Sequence, residues 1–245
     1  MFDQVFYSLT RGNFHFQDVR AELARLKAFL VDQGVHAHDI VDVGCGDGAI
    51  TAAVGTLLDP AELWGVDLNR RLLARAERRG VRAVCQDMAA LSLERRFDLV
   101  ISYGSLHHVE DTGRFIRGLA RLSRRHVLIV DNTVRRTLWH LMTGSRYFPL
   151  ESSAYPIRSV EDIVAGLKGA NCEILGVRTS RNANIWHDRS FVLAAIDPRR
   201  PCPDEVEDAA WTHAAEAQLV SGRLRSLRPS RPTITRPASA RRIEG

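Results

Sequence analysis

Short apolar runs alternate with stretches in which apolar residues recur every three or four positions, and the alternation holds from about residue 19 to residue 196. Val19, Leu23, Leu26 and Leu30 fall on one helical face that ends near Gly34. The run Ile40-Val41-Asp42-Val43 then reads as a buried strand, and Ile50, Ala53, Val54, Leu57 and Leu58 follow at i, i+3, i+4, i+7 and i+8, so the next helix packs one face inward. A second strand is predicted over 63–67. Leu72, Leu73 and Ala76 form the inner face of a second such helix, with Gly80 as its C-terminal stop. Strands over 81–85 and 97–102, a helix carried by Phe115, Ile116, Leu119 and Leu122, and a fifth strand over 126–130 continue the series. Ser159-x-x-Asp162 forms a capping box opening a helix through Leu167, stopped at Gly169, and 172–177 with 190–196 make a terminal hairpin. Strand–helix alternation of this kind requires parallel strands with helices on both faces, an α/β class.

Two regions leave that frame. Residues 132–158 carry Trp139, His140, Tyr147, Phe148 and Tyr155 with little periodicity, a composition expected of a cap over a substrate, with Trp139, Tyr147 and Tyr155 as its contacts. The proline- and arginine-rich run 198–203 marks a boundary, which divides the chain into a domain over 1–197 and an extension over 198–245. In that extension a helical stretch, 204–219, precedes an Arg/Ser/Pro tail expected to be disordered.

Charge sharpens the division. The last 25 residues hold seven arginines and one glutamate, a net of +6, which leaves 27 basic and 28 acidic residues, a net of −1, for residues 1–220. The body is close to neutral, not the basic surface expected of a nucleic-acid enzyme. At 245 residues and 45% hydrophobic, the chain can bury one large core. It has no run of about 20 apolar residues to span a bilayer, and its start lacks the basic and apolar regions of a signal peptide. Four widely spaced cysteines (45, 85, 172 and 202) fit reduced thiols in the cytoplasm.

The candidate chemistry begins at Ile40-Val41-Asp42-Val43-Gly44-Cys45-Gly46-Asp47-Gly48, a strand running into three glycines at alternate positions with a helix directly after. A turn stripped of side chains lets a ligand approach the backbone. Gly44 to Ala49 also fits the dinucleotide fingerprint G-x-G-x-x-A, with Asp67 near the place of a ribose-binding acid. Two features favour a nucleoside carrying an amino acid instead. Asp42, two residues before Gly44, suits an amino group, directly or through water, and would repel a pyrophosphate. Asp87-Met88, after the third strand, suits the exocyclic amine and one face of an adenine.

With these blocks the chain resembles the class I S-adenosylmethionine-dependent methyltransferases, and within them the small-molecule branch. The matching residues are Asp42 to Gly48, Gly65-Val66-Asp67-Leu68, Gln86-Asp87-Met88, and Phe97-Asp98-Leu99-Val100-Ile101-Ser102 running into Leu106-His107-His108-Val109. The resemblance covers about residues 15–196 and is stronger in the cofactor half. It implies a Rossmann-like sheet of six parallel strands and one antiparallel strand. It also implies S-adenosylmethionine as cofactor, S-adenosylhomocysteine as product, and Asp42, Gly44, Gly46, Gly48, Asp67, Leu68, Asp87, Met88 and Tyr103 as cofactor contacts.

An activated methyl group needs mainly a nucleophile held in line with it, and a hydroxyl acceptor also needs a base. That base belongs just past the fourth strand, where His107 and His108 stand, with His107 the stronger candidate. Asp131-Asn132 resembles part of the divalent-cation site of metal-dependent O-methyltransferases, but the fourth strand runs into Ser102-Tyr103-Gly104 without the acid that would complete it, so no metal is expected. Asp131 would then cap the following helix or touch substrate. The chain also lacks the Asn/Asp-Pro-Pro-aromatic turn of enzymes that methylate exocyclic base amines, so the expected acceptor is a small molecule, through O, N or C. A cofactor-binding regulator or cyclase that transfers no methyl group shares the same pattern.

Overall fold

The computed structural model describes residues 19–134, 158–181, 187–197 and 199. The expected cap contacts Trp139, Tyr147 and Tyr155, and the extension from 198 apart from Arg199, lie outside the described residues. In chain order the elements are α1 (Val19–Asp32), β1 (Asp39–Val43), α2 (Ala49–Leu58), β2 (Glu62–Asp67), α3 (Arg70–Glu77), β3 (Arg82–Cys85), β4 (Phe97–Tyr103), α4 (Thr112–Leu122), β5 (Ser123–Val134), α5 (Val160–Gly169), β6 (Cys172–Arg181) and β7 (His187–Ile196). Single 3₁₀ turns follow β3 at Met88–Ala90 and β4 at Leu106–His108.

The strands form one seven-stranded sheet in the order β3-β2-β1-β4-β5-β7-β6. Pairings among β1 to β5 are parallel, and β7 runs antiparallel to both β5 and β6, which makes six strands of one sense and one of the other. The order reverses between β1 and β4, so the carboxyl ends of these two strands diverge into a crevice, the usual ligand position in an open α/β sheet.

Central strands explain the unbroken apolar runs. All five residues of β1 are buried because both faces of the sheet are covered. On one face, Ile40, Leu99, Ile101, Leu128, Val130, Phe191 and Leu193 pack with Leu26, Phe29 and Leu30 of α1 and Val54 of α2. On the other, Val41, Val43, Val100, Val127, Ile129 and Val192 pack with Phe115, Ile116 and Leu119 of α4 and Ile163 and Leu167 of α5. The capping box at Ser159 and Asp162 is formed as expected.

At the amino ends of the strands, Asp39 is 2% exposed and accepts from Arg95, from both contacts of one Arg124 nitrogen and from the Asp98 amide. Burial alone would raise this carboxyl, but Arg95, the Asp98 N–H and Arg124 outweigh it and hold it below its ordinary value. The network ties β1, β4 and β5 at the end remote from the crevice.

Three boundaries differ from the sequence pattern. The terminal hairpin is longer than expected, at ten residues in each strand. α5 runs through Gly169, with Ala170 as its cap. β5 spans twelve residues, not five, and so takes in 132–134, which the sequence pattern assigns to the cap. Its polar ends hide it from periodicity, because pairing decides there: Ser123 meets Phe97 of β4, and Asp131 to Val134 meet Ser190 to His187 of β7. No helix among the described residues is long and apolar enough to cross a membrane.

Candidate active site

The turn after β1 is tied to β2 through backbone bonds from the Gly44 and Cys45 amides to the Val66 carbonyl, 2.7 and 3.0 Å. Gly44 has a φ of 84°. A Cβ there would lie 2.5 Å from the Ser105 Cβ and 2.8 Å from its Oγ, so only glycine lets the turn after β4 close onto the turn after β1. The Ser105 hydroxyl donates to the Val43 carbonyl at 2.9 Å and accepts from Ser102 at 2.8 Å, all buried. Gly46 differs. Its φ is 55°, and a Cβ would meet nothing within 4 Å. That residue borders open space, which suits close approach of a ligand.

Asp42 is 1% exposed. Its Oδ2 accepts from the Thr51 hydroxyl on the first turn of α2 at 2.5 Å, and its Oδ1 is buried with no hydrogen-bond partner among the described residues. A buried carboxylate oxygen with nothing to accept is costly. Burial pushes this carboxyl up to about 7, against the Thr51 hydrogen bond and with the help of the Asp67 charge. Such an oxygen fits an ammonium group and opposes a pyrophosphate.

Asp67, the last residue of β2, accepts from the Gly46 amide through Oδ2 at 2.9 Å and from the Asn69 amide through Oδ1 at 2.8 Å. It therefore builds the glycine turn as well as standing beside it, and each oxygen keeps lone-pair capacity for a hydroxyl. Leu68, next to it, is 67% exposed, an apolar surface beside the turn that a nucleobase could cover. Met88 is brought to the same place, its Sδ 3.5 Å from where a Gly44 Cβ would lie. Asp87 is exposed and caps its own 3₁₀ turn by accepting from Ala89 N at 2.9 Å. Asp42, the three glycines, Asp67, Leu68 and Met88 thus surround one turn, with Asp87 at its margin.

Tyr103 ends β4 on the side of α1 rather than beside His107. The Arg189 guanidinium of β7 lies 5.4 Å from the centre of its ring, and Arg189 pairs with Glu22 of α1 at 2.6 Å. Burial raises the phenol well above its ordinary value, offset in part by Arg189. This cluster carried no sequence signal, since Glu22, Tyr103 and Arg189 are far apart in the chain.

On the other side of β4, His107 Nδ1 lies 2.7 Å from Asp131 Oδ1. Asp131, fully buried, also accepts from the Leu106 amide at 2.8 Å and from its own neighbour's amide, Asn132, at 2.6 Å. A carboxylate already accepting two N–H bonds takes the third from Nδ1–H, which leaves the Nε2 lone pair as the basic position. The helix-cap role expected for Asp131 is overturned, because it sits inside β5 and its oxygens hold the turn after β4. Three of its roughly four lone-pair sites are already taken by N–H groups, which leaves little for a divalent cation. The adjacent rings of His107 and His108 have centroids 4.1 Å apart and are tilted by 45°, His107 partly buried and His108 exposed.

Residues 41–130 match the model of a methyltransferase domain family. An uncharacterized methyltransferase of Mycobacterium bovis is 32% identical over 112 residues, 42% of this chain and 56% of the relative. A malonyl-[acyl-carrier protein] O-methyltransferase of Bacillus anthracis is 26% identical over 137 residues, 53% of this chain and 51% of the relative. The chain thus spans about half the length of these curated relatives. The crystal structure of a magnesium protoporphyrin IX methyltransferase from Synechocystis with bound S-adenosylhomocysteine superposes with a TM-score of 0.60 at 22% identity, over 80% of this chain and 94% of that one, a likeness of fold. Together with the strand order and the glycine turn beside Asp42 and Asp67, the match gives residues 41–130 as a methyltransferase domain, similar to those of the class I S-adenosylmethionine-dependent methyltransferases.

Proposed function

We propose that this chain transfers a methyl group from S-adenosylmethionine to a small-molecule acceptor, with His107 as general base. The observation that carries the cofactor reading is the unpartnered, buried Oδ1 of Asp42 beside an open Gly46. Asp42 would hold the amino group, Asp67 the ribose hydroxyls, and Leu68, Asp87 and Met88 the adenine. S-adenosylmethionine supplies a methyl group already activated on a sulfonium. The protein's task is then to exclude water, align the nucleophile and accept its proton.

The His107–Asp131 contact supports that last role. Asp131 directs Nδ1–H inward, so Nε2 is the atom that accepts a proton from a hydroxyl acceptor, and Asp131 stabilises the imidazolium formed. The malonyl-[acyl-carrier protein] relative supports a small-molecule acceptor, and the likeness to a probable tRNA methyltransferase 9B of Homo sapiens keeps RNA as the second reading. Among the described residues Cys45, Cys85 and Cys172 form no disulfide, which suits a reducing cytoplasm.

Isothermal titration with S-adenosylhomocysteine and with NADH tests the cofactor. Binding of the first and not the second is expected, and the reverse would overturn the reading. Incubation with methyl-labelled cofactor and cell extract tests the acceptor. Label is expected in the small-molecule fraction. Label confined to RNA would overturn the small-molecule part, and label in no fraction would favour a cofactor-binding protein that transfers nothing.

A further inference from the structure

The Asp42 carboxyl lacks a compensating charge. Its Oδ1 has no partner, and among the described residues no ion pair involves it. The groups around it are Thr51 of α2, the Cys45 thiol in the turn, Asp67 at the end of β2 and Tyr103 at the end of β4. Asp67 repels it. Burial pushes the Cys45 thiol far up, so that thiol stays neutral, and the raised Tyr103 phenol is neutral too. Arg189, behind the Tyr103 ring, is matched by Glu22. Removing a carboxylate from water with no cation and one oxygen unsatisfied strongly favours its protonated form. An ammonium group delivered to Oδ1 reverses that preference.

We propose, on the cofactor reading given above, that Asp42 couples cofactor binding to proton release. In the ligand-free protein burial lets the carboxyl keep its proton up to near-neutral pH. The cofactor's ammonium at Oδ1 expels that proton to solvent, and the site closes on a carboxylate–ammonium pair. Thr51 acts as a positioning residue: its hydroxyl donates to Oδ2, favours the ionised form and aims the free oxygen at the pocket. The carboxyl's titration near 7 places the effect in the physiological range.

The direction is set by the linkage. Below about pH 7 the free protein must lose a proton before it can pair with the ammonium, so affinity falls as pH falls. For a group titrating at about 7, affinity should be about tenfold weaker at pH 6 than at pH 8, and about three-quarters of a proton should be released per cofactor at pH 6.5.

Titration calorimetry with S-adenosylhomocysteine, in buffers of different ionisation enthalpy from pH 6 to 8.5, reads both quantities on the intact protein. 5′-Deoxy-5′-methylthioadenosine, which lacks the ammonium group, should bind without the pH slope. Asp42→Asn should abolish the slope and the proton release. Thr51→Val should move the midpoint to higher pH, and Thr51→Ser should restore it. A flat wild-type profile with no proton released, or a slope that persists in Asp42→Asn, would overturn the proposal while leaving the cofactor reading intact. Failure to bind S-adenosylhomocysteine at any pH would overturn both. The wild-type measurements stand whether or not the variants fold.

Discussion

Replacing Asp131 tests whether one buried carboxylate both builds the turn after β4 and sets the chemistry of His107. Its oxygens accept from Leu106 N at 2.8 Å, Asn132 N at 2.6 Å and His107 Nδ1 at 2.7 Å, in a fully buried position. Hydrogen bonds to a charged group each contribute about 1.5–3 kcal/mol, and a buried donor left without a partner costs about 1–3 kcal/mol. Asp131→Ala strips the buried Leu106 amide and the imidazole of their acceptor, so a loss of about 3–5 kcal/mol is expected in urea unfolding, a value typical of breaking a buried charged network.

Asp131→Asn separates structure from chemistry. The amide oxygen can still accept from Leu106, so the stability loss should be smaller, about 1–2 kcal/mol. Its NH₂ group, however, faces Nδ1 with a donor. The imidazole must then carry its proton on Nε2, and the basic lone pair turns inward to the amide. Long-range ¹H–¹⁵N spectra of the His107 ring should show Nδ1–H in the native protein and Nε2–H in the variant. With a hydroxyl acceptor, kcat should fall by about 10²–10⁴-fold with cofactor affinity unchanged. A ring that keeps its native tautomer in Asp131→Asn, or an Asp131→Ala protein within about 0.5 kcal/mol of the native one, would refute the assignment.

Three further outcomes are expected. Gly44→Ala should abolish S-adenosylhomocysteine binding by calorimetry and lower the melting temperature, because the added methyl falls 2.5 Å from Ser105 Cβ at a φ of 84°; unchanged binding would show that the two turns can separate freely. Asp67→Ala should weaken that binding by a few kcal/mol and also raise amide exchange at Gly46 and Asn69, whose hydrogen-bond acceptor it removes; protection kept at both amides would show that Asp67 serves the ligand alone. Asp42→Asn should stabilise the ligand-free protein at alkaline pH: a carboxyl held near 7 when folded and 3.8 when unfolded keeps its proton in the native state. Wild-type stability therefore falls by about 3 kcal/mol as pH rises from 4 to 7 and levels off above about pH 8. A native–variant difference in denaturant midpoint that stays constant over that range would contradict this.

Periodicity located β1 to β4 and the helices between them because each is buried on a face that local residues reveal. Asp42, Gly44, Gly46, Gly48 and Asp67 were legible for a related reason, since a strand, a bare turn and an acid at the next strand end are local patterns. What stayed hidden depends on pairing between distant segments. β5 looked like five residues because Arg124, Arg125, Asp131 and Asn132 are polar, yet ladder bonds to β4 and β7 carry the strand through them. With the strand cut short, Asp131 and Asn132 resembled the free end of a metal site. In register with Ser190 and Arg189, Asp131 instead turns its carboxylate onto the backbone of the neighbouring strand's exit. Thr51 was equally silent, though its place nine residues after Asp42, on the first turn of the following helix, is what brings its hydroxyl to Oδ2.

Legible and hidden residues together share one physical role. Gly44 and Ser105 lock the turn after β1 to the turn after β4, Asp131 locks that second turn to β5, and Asp67 locks β2 to the first. Four strand ends are thereby held against one another by short polar contacts, most of them to backbone atoms. A site that only has to align two reactants gains its advantage from such rigidity, because misplacement of the reacting atoms by about 1 Å can cost on the order of 10²-fold in rate. The exposed Leu68 and the unpaired Asp42 Oδ1 are the exceptions, an uncovered apolar surface and an unsatisfied acceptor left beside an otherwise closed network. A ligand carrying both a flat apolar ring and a cation would satisfy the two together. On the proposed reading, that pairing of demands, more than the glycine pattern it shares with dinucleotide-binding turns, would select an adenosyl amino acid for this site.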